Sequence, residues 1–199
     1  PPPRAPPKPP PSLDGRVAAA DGSSRWITGP RARADAHRLR ARSGAVVVGT
    51  GTVLTDDPHL TVRSVDGTLA GRQPARVVVG RRLPPLGARV LDDAAPTLHL
   101  RTHDPRAVLD RLCADGVHRV LLEGGPTLTA AFLRAGLVDE VVAYVAPVLL
   151  GAGRSAVADL GIASIDAALR LEPVDVTALG PDVRVTARPV TPPLREEHP

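Results

Sequence analysis

The sequence predicts an α/β fold: a mixed, mainly parallel sheet with helices on both faces, closed by a C-terminal antiparallel hairpin. Three observations lead there. Short, continuously apolar segments alternate with helical stretches, the pattern of strands covered on both faces. Proline opens and glycine closes the helical stretches in turn. The last two extended runs are separated only by Gly180-Pro181-Asp182, a hairpin turn.

Thr28-Gly29-Pro30 opens the first helix, with Thr28 or Gly29 as cap; it runs to about Arg42 and stops near Gly44. Ala45 to Val48 is a short, wholly apolar strand, and Arg76 to Val79 and Thr97 to Leu100 are two more. Pro105 to Ala114 reads as a helix closed by Asp115-Gly116. Val117 to Leu122 is a buried strand, Pro126 to Ala135 a helix ended by Gly136, and Asp139 to Val145 a strand. Val174 to Leu179 and Val183 to Val190 form the hairpin. Ser64 to Gln73 reads as a surface loop and Gly151 to Ser164 as a more mobile connection. The folded domain is expected over residues 12–190. Residues 1–11 hold eight of the 23 prolines and read as a disordered tail, with a second tail at 191–199.

Composition narrows the function. Hydrophobic residues make up 43% of the chain and aromatic ones 2%, so the core is packed from Ala, Val and Leu. One cysteine, Cys113, excludes an internal disulfide or a multi-cysteine metal site, and it reads as a small buried apolar residue. No apolar run reaches the ~18 residues of a membrane helix, and no signal peptide is visible, so the expected compartment is a reducing cytoplasm. The only lysine, Lys8, sits in the proline run. A folded body without lysine has no Schiff-base chemistry on lysine, no pyridoxal phosphate anchor and no phosphate-loop lysine. With a net charge of +4 and no aromatic stacking platform, nucleic acid is not an expected partner, whereas anionic small molecules suit an arginine-rich protein.

Four segments could carry chemistry. Glu123-Gly124-Gly125-Pro126-Thr127 leaves a buried strand and opens a helix, where free backbone N–H groups bind phosphate; a plain strand-to-helix turn would look the same. Glu123 stands at the strand's carboxyl end, where open α/β sheets bind ligands. Val48 to Pro58 also leaves a buried strand. Its glycines permit close approach and Thr50 and Thr52 offer hydroxyls, although Asp56-Asp57-Pro58 could simply cap a turn. Ser23 to Thr28 holds the only tryptophan, Trp26, which is either core or a ligand-facing wall. Arg40, late on the first helix, and Arg63, after Leu60-Thr61-Val62, could grip an anion with their planar guanidiniums; a solvated helix face is the plainer reading of the first. The six histidines show no metal-ligand spacing, and no metal site is expected.

In order, Ser12-Leu13-Asp14-Gly15-Arg16, Ser24-Arg25-Trp26-Ile27-Thr28, Ala32 to Arg40, Gly51 to Pro58, Leu60-Thr61-Val62-Arg63, Leu122 to Leu128, Gly136 to Glu140, Ala146-Pro147, Leu150-Gly151 and Gly180 to Val183 resemble the reductase domain of the bacterial bifunctional riboflavin-biosynthesis deaminase–reductases. The resemblance spans roughly Ser12 to Pro189. It implies a dihydrofolate-reductase-like fold with about eight strands. It also implies NADPH-dependent reduction of the ribosyl chain of 5-amino-6-(5-phosphoribosylamino)uracil to a ribityl chain. By motif position, Trp26, Thr52, Asp56 and the Gly124-Gly125-Pro126-Thr127 turn fall where that family binds NADPH. Ser24, Arg40, Leu60, Arg63 and Glu123 fall where it binds the substrate. Asp56 is the one candidate proton donor, on condition that burial raises its pKa. Relatives in the superfamily are often dimers, so a second copy of the chain is an expected partner; the aliphatic run Val141 to Leu150 reads as interface or core.

Two departures stand out. The zinc-deaminase signature is absent, so a deaminase domain is expected as a separate or fused partner. Ahead of Ser12 the family has an apolar strand, whereas this chain has prolines, which lack the N–H that a central strand donates. The sequence therefore predicts a missing strand, a gap beside the cofactor and weak NADPH binding. Two competing readings follow: a related reductase of another pterin or pyrimidine, or an inactive binding module.

Overall fold

The computed structural model describes residues 5–64 and 66–190; the expected tail at 191–199 and the first four residues of the proline run lie outside the described residues. Seven strands and four helices follow in the order α1 (Pro30–Ala41), β1 (Ala45–Gly49), α2 (Thr50–Asp56), β2 (Ala75–Val79), β3 (Thr97–Leu100), α3 (Pro105–Ala114), β4 (Val120–Leu122), α4 (Pro126–Arg134), β5 (Val141–Val145), β6 (Leu171–Leu179) and β7 (Asp182–Pro189). Two short 3₁₀ turns at Arg89–Leu91 and Ile165–Ala167 add to these. The mixed α/β class and nearly every element match the sequence reading. The strand expected from Val117 is shorter, because Val117 N–H instead returns to Leu112 O and closes α3. The stretch after β1, to which the sequence reading assigned no helix, forms α2, and its last turn is closed by Asp57 in the left-handed region.

Four strands pair in parallel in the order β3-β2-β1-β4, and three pair antiparallel in the order β5-β7-β6. In β1, Ala45 and Val47 pack toward α3 and α4 with Val108, Leu112 and Phe132. Val46 and Val48 pack the other way, with Val53, Leu60 and Val90. Both faces are covered, which is why the strand is apolar without alternation. A third cluster under α1 joins Ala32, Val142, Tyr144 and Leu179.

Residues 5–11 overturn the expectation of a disordered tail and of a missing strand. They run extended between the two sheets, with parallel bridges Pro7–Leu122 on one side and Ser12–Ala146 on the other. Pro6 O accepts from Leu122 N–H at 2.9 Å, and Lys8 N–H donates to Leu122 O at 2.9 Å. Toward β5, the carbonyls of Pro7, Pro9 and Pro11 accept from Val142, Tyr144 and Ala146 at 3.0, 3.1 and 2.9 Å. A strand needs donors and acceptors, but proline forfeits only the donor. Lys8, which donates toward β4, is not a proline, and Ala5 N–H donates to Asp139 Oδ2 at 3.2 Å. The sheet is thus continuous across eight strands: β3-β2-β1-β4, residues 5–11, β5-β7-β6.

Prolines do leave a defect. In a parallel ladder, the N–H groups owed to the carbonyls of Val142 and Tyr144 belong to positions 9 and 11. Restoring them in a Pro9→Val, Pro11→Ala variant is expected to raise stability by about 1–2 kcal/mol, net of the unfolded-state entropy that proline suppresses. A lowered urea midpoint would contradict this.

Strand β5 divides the first half of the run Val141 to Leu150 between two faces. Val142, Tyr144 and Ala146 point inward and are buried, while Val141, Ala143 and Val145 lie on the opposite face and are half-buried. That face continues across Val183 and Val185 of β7 and the exposed Val176 of β6. Cys113 is exposed, not buried, because Val108, Leu109 and Leu112 form the inward face of α3. No described helix is long and apolar enough to cross a membrane.

Candidate active site

A cleft of about 620 Å³ opens at the carboxyl ends of β1 and β4 and beside the N-terminal segment. Strands β1 and β4 are neighbours, and each feeds a helix through glycines. Gly125 N–H donates to Thr52 Oγ1 at 3.0 Å, tying the two helix starts together. Pro126 occupies the first position of α4, so the N–H groups of Thr127 and Leu128 have no acceptor within the helix. A Cβ on Gly124 would meet Leu128 Cδ2 at 2.5 Å, so the close turn demands glycine there. On Gly125 it would meet only Thr52 Oγ1, at 3.3 Å, and fill the space above the turn. This cradle of backbone donors fits a diphosphate.

Glu123 ends β4 with its side chain 7% exposed. Arg40 reaches it from α1 as a two-pronged pair, Nε to Oε1 at 2.5 Å and Nη2 to Oε2 at 2.8 Å, and Arg40 Nη1 donates to Thr61 O at 2.9 Å. Lys8 comes from the N-terminal segment, its Nζ 3.6 Å from Glu123 Oε2. Burial pushes the Glu123 carboxyl up, but Arg40 and Lys8 outweigh it and hold it at about 2. Burial pushes the Lys8 ammonium below its ordinary range, with Arg40 adding to the shift and Glu123 opposing it. His37, half-buried one turn before Arg40, accepts from Arg63 N–H at 3.2 Å, and burial lowers its pKa further. Glu123 is therefore held ionised between Arg40 and Lys8, the two cations packed against it.

Most of the residues expected from the sequence line this cleft. Trp26, Thr52, Asp56, Gly124, Gly125 and Pro126 line it. Trp26 is 70% exposed, which makes it a wall and not core, and the Arg33 guanidinium lies 4.5 Å from its ring centroid. Ser24, Arg40, Leu60, Arg63 and Glu123 line it too. Leu60 takes a φ of 55°, rare for leucine, and the carbonyl of the next residue receives Arg40. Arg40 does not offer a free guanidinium, since all its prongs are engaged by Glu123 and Thr61 O. Among the described residues, Arg63 Nη1 donates to Gly67 O at 2.9 Å. Asp56 is exposed, so the burial required of a proton donor is not met; its backbone O accepts from Arg25 Nη2 at 3.1 Å. Thr127 is exposed on the first turn of α4.

Sequence reasoning missed Lys8, His37 and Tyr144. Lys8 carried a signal: it is the only lysine in a chain that otherwise uses arginine, four residues ahead of Ser12 and so on the same strand face. The Ser12–Arg16 motif braces the mouth of the cleft. Asp14 accepts from Gly151 N–H at 2.6 Å and is held at about 2, chiefly by the Ser12 hydroxyl, and Arg16 donates to Gly151 O and Ser155 Oγ. These bonds tie down part of the connection expected to be mobile. Gly153, at φ +122°, passes so close to Ala18 O that no side chain fits. Among the described residues, no group of three His, Cys, Asp or Glu side chains could hold a metal.

The chain was compared with known proteins. The family model of the RibD C-terminal domain matches residues 11–185. The riboflavin biosynthesis protein RibD of Mycobacterium tuberculosis is 56% identical over 172 residues, which cover 86% of this chain and 50% of that protein. A 2,5-diamino-6-ribosylamino-4(3H)-pyrimidinone 5′-phosphate reductase of Methanothermobacter thermautotrophicus is 39% identical over 202 residues, covering 87% of this chain and 92% of that protein. Among solved structures, a Thermotoga maritima diaminohydroxyphosphoribosylaminopyrimidine deaminase/5-amino-6-(5-phosphoribosylamino)uracil reductase superposes with a TM-score of 0.84 at 27% identity, over 95% of this chain and 57% of that one. The chain spans about half the length of the RibD relatives it matches. Its fold is the dihydrofolate-reductase-like one of these reductase domains. With eight strands continuous, a glycine-built cradle at α4 and a family match over most of its length, the chain belongs to the RibD C-terminal domain family.

Proposed function

We propose that this domain reduces the ribosyl chain of 5-amino-6-(5-phosphoribosylamino)uracil with NADPH in riboflavin biosynthesis, alongside a deaminase activity carried by a fused or separate domain. The observation that carries this reading is the convergence, in one cleft, of the Gly124-Gly125 cradle with the Lys8–Glu123–Arg40 cluster. The names of the relatives supply the substrate class: a phosphorylated ribosylaminopyrimidine. The binding-module reading rested on a lost first strand and loses its support with that strand in place.

Thr127 and Leu128 N–H, with Thr52 behind them, would hold the dinucleotide's diphosphate, and Trp26 would wall the cleft. When bound, the cofactor would supply a hydride to C1 of the ring-opened sugar. Reducing a C=N bond also needs a proton on nitrogen. Lys8 is placed to give it, since its ammonium is buried and primed toward the amine. Glu123 cannot serve as the acid because Arg40 keeps it ionised. Its remaining lone pairs suit sugar hydroxyls. Arg63, which lines the cleft, would face the substrate phosphate with its planar guanidinium.

The test is NADPH oxidation followed at 340 nm, with the uracil and the diaminopyrimidinone substrates assayed side by side. Turnover of neither, by a folded chain that binds NADPH, would refute the reading. Arg63→Ala is expected to raise the KM for the phosphorylated substrate about tenfold or more and leave the KM for NADPH unchanged. Thr52→Val is expected to do the reverse, because the cradle loses the hydroxyl that fixes Gly125.

A further inference from the structure

Tyr144 is the chain's only tyrosine and is 1% exposed, yet its ring lines the cleft. Its hydroxyl faces away, donating to Asp35 Oδ2 at 2.7 Å. Asp35, buried on α1, also accepts from Arg184 Nη1 of β7 at 3.0 Å and from Arg38 at 3.0 and 3.1 Å. Burial raises the Asp35 carboxyl, but Tyr144, Arg184 and Arg38 together hold it below its ordinary value. The ring is thus anchored from behind by an ionised carboxylate. On its other side, the Lys8 ammonium lies 5.7 Å from the ring centroid, within cation–π range. Tyr144 N–H pairs with Pro9 O, so Lys8 and Tyr144 are diagonal neighbours on one sheet face.

We propose that Tyr144 is a positioning residue: its ring, locked by Asp35 and Arg184, holds the Lys8 ammonium against Glu123 at the floor of the cleft. This rests on the proposed role of Lys8 as proton donor, but its geometry stands without it. Lysine on a four-carbon stem loses its pose easily. The prolines on either side fix the backbone and offer the ammonium no polar partner. The charged and titratable groups facing Lys8 are Glu123 at the end of β4, Arg40 and His37 on α1, and Tyr144 on β5 with Asp35 and Arg184 behind it. Of these, the ring alone can favour the cation without forming an ion pair.

The unique lysine makes the test direct, because a chain labelled with ¹³Cε-lysine gives one signal. In the wild type, the Lys8 Hε protons should be shifted upfield by the ring, show contacts to the Tyr144 ring protons, and titrate below the ordinary 10.5. Tyr144→Phe keeps the ring and should keep the upfield shift. Tyr144→Leu should abolish it and lower the Lys8 midpoint by a further half to one unit, on the order of a cation–π contact. If the domain turns over, the alkaline limb of its kcat profile should move with that midpoint. A Lys8 signal without ring shift or contacts in the wild type, or a midpoint unmoved or raised in Tyr144→Leu, would overturn the proposal. The wild-type readings need no variant to fold. All the magnetic readings are independent of turnover, so a chain without reductase activity would refute the functional reading and leave this one to be judged separately.

Discussion

Lys8→Gln is expected to lower kcat by about 10²–10⁴-fold, the usual contribution of a positioned acid. It should leave the KM for NADPH nearly unchanged, since the cradle at α4 lies on other elements. Glutamine keeps the backbone N–H that pairs with Leu122 O, so the strand survives and the loss can be read as chemistry. Asp56→Asn is the control. Its carboxylate is exposed, so a small change in kcat is expected. Steady-state kinetics at 340 nm with circular dichroism on each variant decide the matter. A Lys8→Gln enzyme with ordinary kcat would move the proton donor elsewhere.

Arg40→Ala should produce the largest loss of stability of any single change in the cleft. It strips a buried carboxylate of its two-pronged partner and leaves Lys8, 3.6 Å away, as the only compensation. Breaking such pairs costs about 3–5 kcal/mol, and at 2–4 °C per kcal/mol for a chain of this size the melting temperature should fall by roughly 10 °C. The pH dependence has a definite sign. In the wild type Glu123 is held at about 2 against an ordinary 4.5. Its stabilisation, about 3 kcal/mol from that difference, is therefore complete above pH 5 and lost as pH falls toward 2. In Arg40→Ala, burial is less opposed and the carboxyl titrates higher. Acid then relieves the variant while it weakens the wild type, and the gap between their melting temperatures should be narrower at pH 4 than at pH 7. An equal gap at both would show that Glu123 is not the group at stake.

Much of this was legible in the chain alone, where a local rule governed. Pro126 after Gly124-Gly125 marks a helix start whatever surrounds it, because proline at the first turn and glycine before it follow from backbone sterics. Val46 to Val48, with no polar alternation, had to lie between two covered layers. Reading proline as a strand breaker at residues 5–11 failed because the rule concerns donors. A segment flanked by a strand that supplies N–H groups, as β5 does, can pair through its carbonyls, and Lys8 supplies the N–H toward β4 while positions 9 and 11 leave theirs unmade. The exposure of Asp56 at the end of α2 is set by what packs over it, which no local pattern records.

The sequence by itself determined the alternation of strands and helices, the glycine-opened turns and the residue types gathered around the cleft, since each depends on neighbours within a few positions. Only the tertiary structure decided that Arg40 pairs with Glu123, that Asp35 stands behind Tyr144, and that the lone lysine of a proline run sits at the floor of the cleft. Those outcomes depend on which groups share a small volume of low dielectric. There a charge must find its partner across more than eighty residues of chain, as Arg40 does in Glu123, and that distance leaves no periodic trace in the sequence.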